Sequence, residues 1–160
     1  MIQAFTETLF FTYISTEDNR IDTSVASTKI RHLFKFINDM DGSIDYAYAS
    51  AQTIYDRYTQ FEFRYSTSTD IYTGLVNLIP AGHWKYEVYE VSWIGTVILS
   101  AGNAPATETD VLSPIADSKG VVQGLVTKGI LNLTEKSGTE QVQYIQQEDP
   151  SGTNYIWYGQ

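Results

Sequence analysis

An all-β domain, a β-sandwich or Greek-key arrangement, is what this sequence predicts, and three observations carry the prediction. Apolar side chains alternate with polar ones in several short runs, the period of a half-buried strand. Each run is bounded by Gly, Pro, Asp, Asn or Ser, the residues that turn a chain. The chain also holds 12 Tyr, 7 Phe and many β-branched residues, which suit a pleated surface, and no stretch keeps a helical period. At 160 residues and 42% hydrophobic composition there is enough material for one ordinary core.

Residues 2–14 read as an extended segment with Phe5, Leu9, Phe11 and Tyr13 on one parity. Phe10 breaks that parity, which predicts a strand covered on both faces or paired with a neighbouring subunit. Residues 15–27 are polar and small and read as a loop; Thr16 has the chemistry of a helix N-cap, but nothing periodic follows it. From Lys29 to Ile37, Ile30, His32, Phe34 and Phe36 share a face, with Leu33 the exception. Asn38–Ser43 closes a hairpin through Asp41-Gly42, and Ile44, Tyr46 and Tyr48 form the return strand. Residues 49–58 read as a connector, with one helical turn as the alternative, although Thr53, Ile54 and Tyr55 are poor helix formers. Phe61, Phe63 and Tyr65 then alternate with polar residues, and Leu75–Ile79 is a short strand.

Pro80 and Gly82 reverse the chain into the longest strand, where Trp84, Tyr86 and Val88 share a face. After Val88 the parity inverts to Tyr89, Val91 and Trp93, which predicts a bulge or a passage between packed layers. Past Gly95 the chain carries little period, and Ala101–Pro114 reads as a long irregular loop or arm lying over another surface. Val121–Leu133 resumes β character, eased by Gly124 and Gly129. A turn at 136–139, a strand at Val142–Gln147 and an aromatic end at 154–158 complete the chain. The predicted organisation is an N-terminal strand and linker arm (1–27), a sandwich core (28–94) and an irregular arm with added strands (95–160). Phe34, Phe36, Phe61, Phe63, Trp84 and Tyr86 are the expected structural core.

The chemistry is sparse. Ten basic against 19 acidic residues give a net charge of −9, which disfavours a nucleic-acid partner, since that affinity comes from Lys and Arg. No cysteine is present, so disulfides, thiolate metal sites and a Cys nucleophile are excluded. The N-terminus lacks a signal-peptide pattern, and no apolar run approaches the ~20 residues that span a bilayer. Asp39, Asp41 and Asp45 have oxygens for a hard cation, but Asp41-Gly42 is explained by the turn alone. His32 falls on an apolar parity and His83 on a polar one, so core and surface are expected, and no metal or cofactor is. Gly124 and Gly129 lack the Lys-Ser/Thr of a phosphate loop. Nothing singles out a catalytic pair, and the expectation is no enzyme. Asn132-Leu133-Thr134 matches a glycosylation sequon that is idle without secretion.

Two resemblances add to this. The Leu78-x-Pro80 turn followed by Gly82-x-Trp84-x-Tyr86 resembles the tyrosine-corner region of immunoglobulin-like sandwiches, which implies that Tyr86 ties the incoming loop down; the likeness spans 28–93. Tyr58-x-x-Phe61-x-Phe63, Pro80-x-Gly82-x-Trp84-x-Tyr86-x-x-Tyr89-Glu90, Gly120 to Gly129 and Glu135-Lys136-x-Gly138-x-Glu140 together resemble small structural proteins of tailed bacteriophages, some crAss-like. That resemblance implies a virion component made in the host bacterial cytoplasm, with an immunoglobulin-like fold and no catalytic residues. The leading expectation is a capsid decoration (cement) protein that contacts the major capsid protein. It would be a homo-oligomer in the particle, away from nucleic acid and membrane, with residues 1–14 and 95–120 reaching neighbours. Phe5, Phe10, Phe11, Trp93, Trp157 and Tyr158 are the expected interface anchors. A connector or tail protein forming a ring is the second reading. A carbohydrate-binding module stacking sugars on Trp84 or Trp93, with Trp157 a further candidate, is the third.

Overall fold

A computed structural model describes residues 1–113 and 115–136. Nine strands form two sheets: β1 (Ile2–Phe5), β2 (Phe10–Ile14), β3 (Ile30–Asn38), β4 (Ile44–Tyr48), β5 (Ala51–Ile54), β6 (Thr59–Tyr65), β7 (Leu75–Val76), β8 (Gly82–Ser92) and β9 (Val121–Thr134). The larger sheet has the order β1-β9-β8-β3-β4; the smaller is β2-β6-β5, with β7 also pairing β6. Pairing is antiparallel except for β1 with β9 and β6 with β7. The fold is therefore an all-β sandwich, as the alternating runs predict.

The core lies where the inward parities of the two sheets meet. Phe34 and Phe36 from β3 interleave with Phe61 and Phe63 from β6, edge to face, at centroid distances of 4.9 to 5.5 Å. Phe10 stacks on Phe63 at 5.3 Å, and Trp84, Tyr86 and Val88 supply the floor from β8. All six expected core residues are buried. Ring pairs in these geometries add to plain area burial, which is large for each ring.

Several elements differ from the sequence reading. Residues 2–14 are two strands, separated by a turn in which Glu7 takes φ 56° and serving opposite sheets. They are thus integral to both sheets instead of forming an arm. Their inward set is Ile2, Ala4, Phe10, Thr12 and Ile14; Phe5, Leu9, Phe11 and Tyr13 are exposed, so the expected parity is inverted. The apolar content of both parities hid the choice, and the small or polar Ala4 and Thr12 made the inner one look weaker. Thr16 does precede a single 3₁₀ turn, Glu17–Asn19, but its hydroxyl meets that of Thr59 at 2.7 Å instead of capping. The stretch 49–58, read as a connector with a helical turn as the alternative, instead contains β5, which forms a hairpin with β6; the β-branched Thr53 and Ile54 suit that strand. Of the strand expected at Leu75–Ile79, only Leu75 and Val76 pair.

The face swap expected in β8 resolves differently. Its register with β3 is unbroken from Ile30↔Ser92 to Asn38↔Trp84. The irregularities lie on the β9 side, where Val126 and Gln123 are the extra residues opposite Val88/Tyr89 and Glu90/Val91. Beyond Val88 both faces of β8 are covered. Glu90 and Ser92 point inward, while Val91 and Trp93 point outward under residues 95–120. That segment folds back over its own sheet: Ala104 is buried with Leu33, Tyr48, Val91 and Trp93, and Val97 and Leu99 pack against them. The sequence reading that it reaches a neighbour is corrected for these inward residues. Gly120 allows the approach, since a Cβ there would lie 2.5 Å from Trp93 Cζ2.

Candidate functional site

The expected interface anchors separate into three groups. Phe5 and Phe11 are exposed. Phe10 and Trp93 are buried within the chain itself, Phe10 against Phe63 and Trp93 beneath the folded-back segment, so neither is free to anchor a neighbour. Trp157 and Tyr158 lie outside the described residues, as do the strand expected at 142–147 and the turns after Lys136. Trp84 and Trp93 have no exposed surface, which removes both as platforms for a sugar ring. Trp84 instead holds the incoming turn, because its indole Nε1 donates to the Pro80 carbonyl at 3.0 Å. This is the role expected of Tyr86, whose hydroxyl makes no hydrogen bond to a described residue and lies over Gly129 instead.

The acidic turn is occupied by protein groups. Asp39 pairs with Lys85 at 2.6 Å, and Asp41 accepts from the Ser43 amide at 2.9 Å. Among the described residues no cluster of three or more His, Asp or Glu would hold a metal ion. His83 is exposed. His32 is buried edge-on to Phe61, with Nδ1 3.3 Å from Gln52 Oε1. Burial drives the imidazole pKa down to about 4, the Gln52 bond opposes this, and the charge of Arg31 lowers it further. A neutral core histidine results. No helix among the described residues is long and apolar enough to cross a membrane.

Two polar anchors were not legible in the sequence. Glu90 is fully buried, and its carboxylate accepts the amides of Ile21 at 2.9 Å and Asp22 at 2.7 Å. It fastens residues 15–27 across the end of the sandwich, with charge-assisted bonds compensating the buried carboxylate. The only sequence signal was an acid on the apolar parity of β8. The second anchor pins the folded-back segment: Glu108 accepts from Lys35 Nζ and from the Tyr46 hydroxyl, each at 2.6 Å. Tyr89 donates to Glu87 at 2.7 Å beside them. Burial works against the Glu108 carboxylate, but the bonds from Lys35 and Tyr46 outweigh it and its pKa falls; that of Lys35 rises, chiefly through the same bond.

Two exposed surfaces are candidates for contact. The first is the outer side of residues 94–115. Ile94 is 77%, Val111 86% and Ile115 84% exposed, although Lys35, Trp93 and Ala104 fix the base of the segment. Val111 and Ile115 line one surface hollow together with Leu112 and Val122. The second is the outward face of the smaller sheet. Tyr13 (60% exposed), Tyr55 and Tyr58 cluster there around Gln60. Comparison of the chain with protein-family models, with curated proteins and with solved structures gives no match in any of the three.

Proposed function

We propose that this chain is a non-enzymatic structural protein of a tailed-phage virion, a capsid decoration protein that holds neighbouring capsid subunits. The observation that carries the reading is the exposure of Ile94, Val111 and Ile115 beside a stretch anchored through Lys35, Trp93 and Ala104. Such residues cost solubility unless they are covered, and an assembled shell offers a repeated surface to cover them. Phe5 and Phe11 provide further exposed rings. The phage setting and the immunoglobulin-like character rest on the resemblances of the Leu78–Glu90 and Gly120–Gly129 regions. In this reading the protein is made in the bacterial cytoplasm and works in the virion, against the major capsid protein and copies of itself.

Quantitative mass spectrometry of purified virions tests it. Decoration requires an abundance close to that of the major capsid protein. A small ring-like copy number moves the protein to the connector or tail, and absence from the particle ends the virion reading. Val111→Ser with Ile115→Ser supplies the structural check: binding to assembled shells should fall at least about tenfold, the loss expected when about 1.4 kcal/mol of anchor contact is removed. Unchanged binding would place the contact elsewhere.

A further inference from the structure

We propose that the tyrosine cluster on the outer face of the smaller sheet is a binding site for a neutral saccharide. It is independent of the virion reading and replaces the buried tryptophans as the stacking surface.

Three strands build it. The β5–β6 hairpin is closed by the Tyr55 amide donating to the Tyr58 carbonyl at 2.8 Å, which sets the two rings 4.9 Å apart at 37°. Tyr13 arrives from β2 on the other side of β6 and meets Tyr58 edge-on at 5.6 Å and 78°. Gln60 lies between, the cross-strand partner of both Tyr13 and Thr53. Its Nε2 donates to the Tyr13 hydroxyl at 3.3 Å, and its Oε1 accepts from the Tyr55 hydroxyl at 3.5 Å.

The chemistry of this row selects its ligand. A pyranose has an apolar face of C–H groups and an equatorial belt of hydroxyls. It is matched by aromatic rings standing next to neutral, directional donors and acceptors. The Tyr13 hydroxyl, already accepting from Gln60, still has its own proton to give, and the Gln60 amide keeps a second hydrogen. Tyrosine offers contact area with few rotatable bonds, so ordering costs little on binding. The neighbouring charges on this face cancel: Glu62 and Arg64 pair at 2.6 Å. With a chain charge of −9, an anionic polymer is disfavoured and a neutral glycan is not. The row Tyr13–Gln60–Thr53 is amphipathic, with polar groups set between aromatic rings.

The test is affinity electrophoresis of the full chain through native gels containing a soluble β-1,3-glucan, a galactomannan or an arabinoxylan, with dextran sulfate as the anionic control. The expected result is retardation by at least one neutral polysaccharide and none by dextran sulfate. Tyr13→Ala and Tyr58→Ala should each raise Kd about tenfold or more while the melting temperature stays near that of the parent, since both side chains are exposed. Tyr13→Phe keeps the ring and should lose only part of the affinity, which separates stacking from hydrogen bonding if Tyr58→Ala proves unstable. Migration unaffected by all three neutral polysaccharides overturns the proposal. So does retardation that survives both alanine substitutions, or retardation by dextran sulfate alone.

Discussion

Lowering the pH should destabilise this fold through His32 over a defined window. In the unfolded chain the imidazole takes its proton near 6.5; in the fold, burial between the sheets holds it at about 4. Between those values the unfolded state binds one proton more than the native state, so stability falls as pH falls. The contribution is fully present above 6.5 and is lost as the pH drops toward about 4, below which it changes no further. The slope reaches about 1.4 kcal/mol per pH unit and the sum is about 3 kcal/mol, a large part of the stability of a typical domain. Of the charged neighbours, Glu90 stands directly across from His32 in the sheet, but its carboxylate is committed to the amides of Ile21 and Asp22. Urea unfolding of the parent and of His32→Gln, stepped from about pH 8 to about pH 4, isolates the effect, because every other titratable group is common to both proteins. The parent curve should fall more steeply than that of the variant, by about one proton's slope. Parallel curves, or an NMR titration placing the His32 pKa near 6.5, would refute the reasoning.

Other perturbations have equally definite readouts. Glu90→Gln leaves one carbonyl oxygen where two carboxylate oxygens accepted amides; it should cost about 2 kcal/mol, with faster hydrogen exchange at Ile21 and Asp22. Gly120→Ala drives a methyl group into the Trp93 indole and should cost about 1–3 kcal/mol, visible as a lower Tm and altered tryptophan fluorescence. Trp84→Ala should cost about 3–5 kcal/mol in denaturant melts, since it empties core volume and frees the Pro80 turn together. Glu108→Ala should leave the sandwich intact but speed proteolysis between residues 95 and 119, because Lys35 and Tyr46 lose their shared acceptor.

What was legible follows from how each strand is covered. β6 and the first half of β8 have one dry and one wetter face, so their alternation reports the buried side directly; β3 follows it except at Leu33, which packs with Trp93 and Ala104 on its other side, and Asp41-Gly42 marks the hairpin. β1 and β2 broke the rule because they put Ala4 and Thr12 inside and Phe5, Phe11 and Tyr13 outside. The second half of β8 looked like a swap of faces because a segment about ten residues further on covers its outer side, a tertiary fact with no local pattern. Glu90 was unreadable for the same reason: its partners are backbone amides of a distant loop, and amides leave no trace in side-chain chemistry. The tyrosine cluster was visible only residue by residue, since β2 and the β5–β6 hairpin bring its members together.

The parallel pairing of β1 with β9 sets the order in which this molecule can be assembled. Ile2 meets Leu131, and among the described residues β1 has no other strand beside it in the larger sheet. On a ribosome adding roughly 5–20 residues per second, the first strand therefore waits on the order of ten seconds for its partner to be synthesised. The hairpins β3–β4 and β5–β6 join neighbours in sequence and can close as they emerge, whereas β1 is made long before the strand it pairs with. Until then Ile2 and Ala4 are exposed beside an unpaired backbone, the kind of surface that holdase chaperones cover. The nascent chain thus carries β1 unpaired until β9 has been made.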